Sequence, residues 1–160
     1  MRLYERDAEL RLAADILALA ASRQGGALFL AGNAGLGKTA LLEHAVLTAG
    51  NGLRVGSATG DPVETSVAFS YLGQALYALE CPVSLAETGV SGASVTDVRS
   101  AQFHQVLHWL RSIETPTAII LDDLQWADSD SLALVSFLCR RLEGLPVAII
   151  MTLRSWPAAA

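Results

Sequence analysis

The feature that most constrains this chain is an octamer, Gly32-Asn33-Ala34-Gly35-Leu36-Gly37-Lys38-Thr39, set between the apolar run ALFLA (27–31) and a helical pattern over 39–49. It matches GxxxxGK(S/T) at every fixed position. Glycines let such a loop curl until successive backbone N–H groups point inward, where they can meet phosphate oxygens. A helix that begins near Lys38 adds the positive end of its dipole at the same point. The motif therefore requires a strand before it and a helix after it, and both patterns are present. Lys38 is then placed to reach β- and γ-phosphates, and the Thr39 hydroxyl to ligate Mg²⁺.

Hydrophobic periodicity extends this strand–turn–helix unit along the chain. Leu10, Ala13, Ala14, Leu17, Ala20 and Ala21 recur at helical spacing and predict a helix over 7–23, stopped by Gln24-Gly25-Gly26. The uninterrupted run 27–31 has the pattern of a strand buried on both faces. Further strands are expected over 53–58, 117–121 and 147–152, with helices over 39–49, 69–79 and 129–142. Ser94 and Asp97 form a capping-box pattern ahead of a helix whose face is Phe103, Val106, Leu107, Leu110 and Ile113. Residues 81–94 read as a loop. Alternating strands and helices imply a mostly parallel sheet covered on both faces, a three-layer α/β domain.

A phosphate loop needs a carboxylate to hold magnesium, reached from another strand. The run AIIL (118–121) leads directly into Asp122 and Asp123, which places both acids at the carboxyl edge of the sheet, where the loop also emerges. Asp122 is the candidate metal-holding residue. Asp123 is the candidate to orient or deprotonate water. The last strand ends Met151-Thr152-Leu153-Arg154 at the same edge. Inserted between the loop strand and the acidic strand, it would present Thr152 or Arg154 to a γ-phosphate.

Composition narrows the partners. Of 11 basic residues only one, Lys38, is lysine, and 16 acids leave a net charge of −5. No basic stripe exists to hold nucleic acid by phosphate neutralisation. The longest apolar runs fall short of a membrane span, and the first ten residues are charged, unlike a signal peptide. Cys81 and Cys139 suit neither a disulfide framework nor a metal knuckle. A soluble, cytoplasmic chain is expected. Other candidates have plainer readings. His104 and His108 lie on a solvated helix face, Arg140 and Arg141 favour the end of a helix dipole, and Asp61 and Glu64 sit in a loop.

With these residues in place, the chain resembles the STAND branch of P-loop ATPases, related to AAA+ proteins. More specifically, it is similar to the amino-terminal ATPase domain of large LuxR-type bacterial transcriptional regulators. YERDAEL (4–10) resembles the family's opening motif, although Glu5 stands where glycine is common. GNAGLGKTALLEHA resembles its phosphate loop and following helix. LDDLQWADSDSLALVSFLCRRLEGLPVAIIMTLR resembles its acidic strand, next helix and sensor strand, and DDLQWAD is the most specific block. Asp128 or Ser129 is expected to cap the helix after it, with Trp126 packed under the loop.

The resemblance implies ATP and ADP as ligands with Mg²⁺, bound at Gly32–Thr39 and Asp122. It implies slow hydrolysis through Asp123, which stands where AAA+ motors commonly carry glutamate. Residues 1–160 would form one P-loop core, truncated, with four of about five strands and an exposed edge beside the phosphate loop. Family members carry a lid, helical repeats and a helix-turn-helix domain beyond this region, so DNA would be met only there, and nucleotide could drive self-association. The rival readings are an AAA+ motor or another P-loop enzyme such as a kinase, and a fragment that binds nothing.

Overall fold

A computed structural model describes residues 7–33, 37–86 and 94–154. In chain order these form α1 (Asp7–Ala21), β1 (Gly26–Gly32), α2 (Lys38–Ala49), β2 (Arg54–Thr59), α3 (Ser70–Ala78), α4 (Val95–Ser112), β3 (Thr117–Asp122), α5 (Ser129–Cys139) and β4 (Val147–Arg154). A single 3₁₀ turn, Leu124–Trp126, follows β3. Each strand and helix expected over these stretches is present, with ends shifted by a few residues.

The four strands make one sheet in the order β1-β4-β3-β2, and every pairing is parallel. The last strand thus inserts between the loop strand and the acidic strand, as anticipated. Side-chain alternation on the two central strands feeds two separate cores. Ala118, Ile120, Ala148 and Ile150 face α1 and α2, where they meet Ala13, Leu17, Leu41 and Leu42. Ile119, Leu121, Val147 and Ile149 face the opposite way, against Leu72, Val106, Leu110, Leu134 and Leu138 of α3, α4 and α5. Both central strands are buried along their apolar length, which explains their continuous hydrophobic runs.

β1 corrects one expectation. It is the edge strand expected beside the phosphate loop, but it is not buried on both faces: of its residues only Leu30 is buried, while Ala27, Phe29 and Ala31 are exposed. Helix α1 covers one face, with Ile16 and Leu19 against Gly26. On the other face Phe29 remains 49% exposed. At the opposite edge, β2 takes α3 in close contact. A Cβ on Gly56 would collide with the carbonyl oxygen of Ala75 and the side chain of Leu79, so the helix can approach only because residue 56 has no side chain.

Candidate nucleotide site at the carboxyl edge of the sheet

β1, β3 and β4 all end at one edge, and the described residues of the phosphate loop lie there with Asp122, Asp123, Thr152 and Arg154. Ala34, Gly35 and Leu36 lie outside the described residues; Gly32, Asn33 and Gly37 flank them. Gly37 adopts φ +69°, a left-handed conformation natural to glycine, and turns the chain into α2. Lys38 opens that helix and is buried. Its ammonium donates to the carbonyls of Gly32 at 2.7 Å and Asn33 at 2.8 Å, so the sole lysine folds back over the loop's own backbone.

Thr39 links the two halves of the site. Its hydroxyl donates to Oδ2 of Asp122 at 2.6 Å, across 83 residues of sequence. The other carboxylate oxygen of Asp122 accepts from the Thr152 hydroxyl and from the backbone N–H of Asp123, the latter at 3.1 Å. One carboxylate therefore binds α2, β3 and β4 together. A Thr hydroxyl against an aspartate in this arrangement is an oxygen donor set suited to Mg²⁺. The Lys38 ammonium beside the loop supplies the cation that phosphate oxygens need. The residues present fit Mg²⁺ and a nucleotide phosphate. A groove of 220 Å³ opens beside Thr39 and Asp122 and is lined in part by Glu43, Ser57 and Thr59.

Asp123 is held differently. Its backbone is left-handed, with φ +57°. Arg154 grips its carboxylate with both arms of the guanidinium, Nε to Oδ1 at 2.8 Å and Nη2 to Oδ2 at 2.7 Å. Gln125 braces the pair: its amide donates to Asp123 Oδ1 at 3.1 Å, and its carbonyl oxygen accepts the backbone N–H of Arg154, also at 3.1 Å. Burial pushes the Asp123 carboxyl up. The hydrogen bonds from Arg154 and Gln125, with the charges of Arg154 and Lys38, outweigh that and hold it below the usual range.

Asp128 caps α5 as expected, accepting from the N–H of Ser131 at 2.8 Å and its hydroxyl at 2.7 Å. It also accepts the N–H groups of Phe69 at 2.9 Å and Tyr71 at 3.1 Å at the start of α3, a second cap that the sequence did not indicate. Tyr71 was likewise not expected here. Its hydroxyl donates to the backbone carbonyl of Asp122 at 2.8 Å. Nothing in a lone tyrosine on an apolar helix face signals such a role, whereas Gln125 stands inside the DDLQWAD block and was open to notice. Trp126 lies in the 3₁₀ turn with its Cβ against Gly60.

The remaining candidates take their plainer readings. His104 and His108 are exposed, the former edge-on to Phe137, and no group of three metal-ligating side chains occurs among the described residues. Arg140 is the C-cap of α5. Arg141 donates to the Phe137 carbonyl at 2.9 Å and lies over its ring. Asp61 accepts the N–H of Val63 within its own loop. Residues 4–6 of the opening motif lie outside the described residues. Both cysteines are free and half-buried.

Comparison with known proteins agrees with this geometry. The family profile described as "AAA ATPase domain" matches residues 2–150. The chain belongs to the AAA ATPase domain family. As an AAA ATPase domain it carries the α/β P-loop fold with an all-parallel sheet. Among solved structures it is similar to Cdc6p from Pyrobaculum aerophilum, with a TM-score of 0.62 and 21% identity over 96% of this chain and 40% of that one. It is also similar to the Orc1 protein of Aeropyrum pernix, solved in complex with DNA, with a TM-score of 0.52 and 20% identity over 94% of this chain and 39% of that one. At these identities the likeness is one of fold. The AAA domain spans about 40% of the length of the first of these proteins. Among curated proteins, none matches the chain significantly. No helix among the described residues is long and apolar enough to cross a membrane.

Proposed function

We propose that this AAA domain is the ATP-binding, slowly hydrolysing switch of a bacterial signal-responsive transcriptional regulator, cytoplasmic, with Mg²⁺ as its metal. The observation that carries the nucleotide reading is the Thr39–Asp122 hydrogen bond. Two half-sites 83 residues apart meet at 2.6 Å, in the arrangement needed to share one metal ion. The roles follow from the donor chemistry. Backbone groups from Gly32 to Thr39 and the Lys38 ammonium would bind phosphate oxygens, and Thr39 and Asp122 would hold Mg²⁺. Mg·ATP, when bound, supplies the γ-phosphoryl group that water attacks.

The switch reading draws on Asp123 and Arg154. With both carboxylate oxygens engaged by Arg154 and one also by Gln125, Asp123 is not free to orient water. Arg154 must first move to another anion, and a γ-phosphate is one that ATP carries and ADP lacks. Such an unequal contact is what a ligand needs to shift a conformational equilibrium. The regulator reading draws on the DDLQWAD block. The chain's net charge of −5 assigns DNA contact to other parts of such a protein, with nucleotide-dependent self-association as its companion. The Orc1 relative is recorded with DNA; the same class of target is proposed for the full-length regulator.

Calorimetric titration with Mg·ATP and Mg·ADP tests the site. The chain is expected to bind both and Lys38→Ala neither; tight ATP binding by that variant would remove the phosphate-loop assignment. For the switch, promoter DNA binding by the full-length protein should depend on ATP, and indifference to nucleotide would refute it.

A further inference from the structure

Between the two acids that end β3 lies a single peptide group, and it is held from both sides. Its carbonyl, that of Asp122, accepts from the Tyr71 hydroxyl at 2.8 Å and from the N–H of Gly60 at 3.0 Å. Its N–H, that of Asp123, donates to the Thr152 hydroxyl oxygen at 3.0 Å and to Asp122 Oδ1 at 3.1 Å. This peptide leads into the left-handed backbone of Asp123, φ +57°. A residue with a side chain adopts that conformation only where its surroundings hold it there, and such positions cluster at functional sites.

Tyr71 is well placed to do the holding. It is 2% exposed, in the first turn of α3, and its own N–H is fixed on the Asp128 carboxylate that also caps α5. The hydroxyl therefore arrives from a platform of two helices rather than from a loop. A buried tyrosine hydroxyl must find a partner. Here the partner is the one carbonyl whose orientation sets the direction of the next residue. Gly60 approaches from the other side so closely that a Cβ there would collide with the Asp123 carbonyl oxygen, which leaves the segment little room to relax.

We propose that Tyr71 is a positioning residue of the ATPase site: its hydroxyl clamps the 122–123 peptide and so aims the Asp123 carboxylate. The proposal rests on the ATPase reading of Asp123 and deepens it. If the peptide turned over, its carbonyl and N–H would exchange sides, Asp123 would leave the left-handed region, and its contacts with Arg154 and Gln125 would break.

Tyr71→Phe in the full 160-residue chain keeps the ring and removes only the clamp. Amide hydrogen exchange followed by NMR reads the peptide directly, without nucleotide. Asp123 N–H is expected to lose about tenfold in protection, while Ala75 and Leu76 in the same helix keep theirs. With Mg·ATP, kcat of the full-length protein carrying the same substitution is expected to fall about tenfold with KM within about twofold. A tyrosine that merely fills the core would lower Tm and leave both readings unchanged. Unchanged Asp123 protection overturns the proposal, as does unchanged kcat beside loosened protection. If the wild-type chain binds no nucleotide, the ATPase reading fails and the proposal fails with it, while the exchange data still decide whether the peptide is clamped.

Discussion

Asp123 and Arg154 form a two-armed ion pair whose arginine is half exposed, and that geometry matters more for control than for stability. Asp123→Asn removes the negative charge that holds Arg154. Nucleotide binding by this variant is expected to persist while hydrolysis in the full-length protein falls by at least about a hundredfold; phosphate-release kinetics check this, and unchanged turnover would move the water-orienting role elsewhere. Asp128 is the stability counterpart. Burial raises its carboxyl pKa, but hydrogen bonds from Ser131, Tyr71 and Phe69 prevail and lower it. A carboxyl whose folded pKa lies below its unfolded value of about 3.9 stabilises fully above that value and loses the contribution as pH falls through the folded pKa. Stability should therefore hold from neutral pH to about 5 and drop below about 4. Asp128→Ala, which leaves buried N–H groups at two helix starts without their acceptor, is expected to cost about 3 kcal/mol at pH 7 and to flatten that acid drop. Urea unfolding between pH 7 and 3 measures both.

Elements carry the next set of constraints. The 27–31 run read as a strand buried on both faces, because a short apolar stretch carries no information about what lies beside it. In the fold it became an edge, with the Phe29 side chain on an uncovered face. Phe29→Lys should reduce concentration-dependent association in light scattering while shifting Tm by no more than about 2 °C. A loss of folding would show instead that this face is packed. The β2–α3 contact is the reverse case, where a small residue is essential. Gly56→Ala would drive a Cβ into the Ala75 carbonyl and is expected to cost about 2–3 kcal/mol in chemical denaturation. Helix α4 was legible down to its cap, with Ser94 accepting the N–H of Asp97 at 3.2 Å. That Gln102 on the same helix is buried, its amide donating to the carbonyls of Ser84 and Ala86, was not legible, because those acceptors come from a distant loop.

At the scale of the whole molecule, the sheet brings α2, β3 and β4 to one carboxylate, so ligand binding and global stability should be linked. Saturation at about 100 times Kd stabilises a folded protein by about 2.7 kcal/mol. For a chain of this size that corresponds to a Tm increase of about 5–10 °C with Mg·ATP, and no increase in Lys38→Ala. Differential scanning fluorimetry reads it directly. By itself the sequence determined the phosphate loop, the acid pair, the alternation of elements and hence the three-layer α/β class. These are encoded in contiguous residues, where spacing and periodicity act over a few positions. Only the tertiary structure decided that the loop strand leaves one face uncovered, that Asp128 caps two helices, that Arg154 closes on Asp123, and that Tyr71 holds the peptide between the two acids. Each of these joins residues from separate elements, and the partner of a buried polar group is chosen by packing, which no local pattern records.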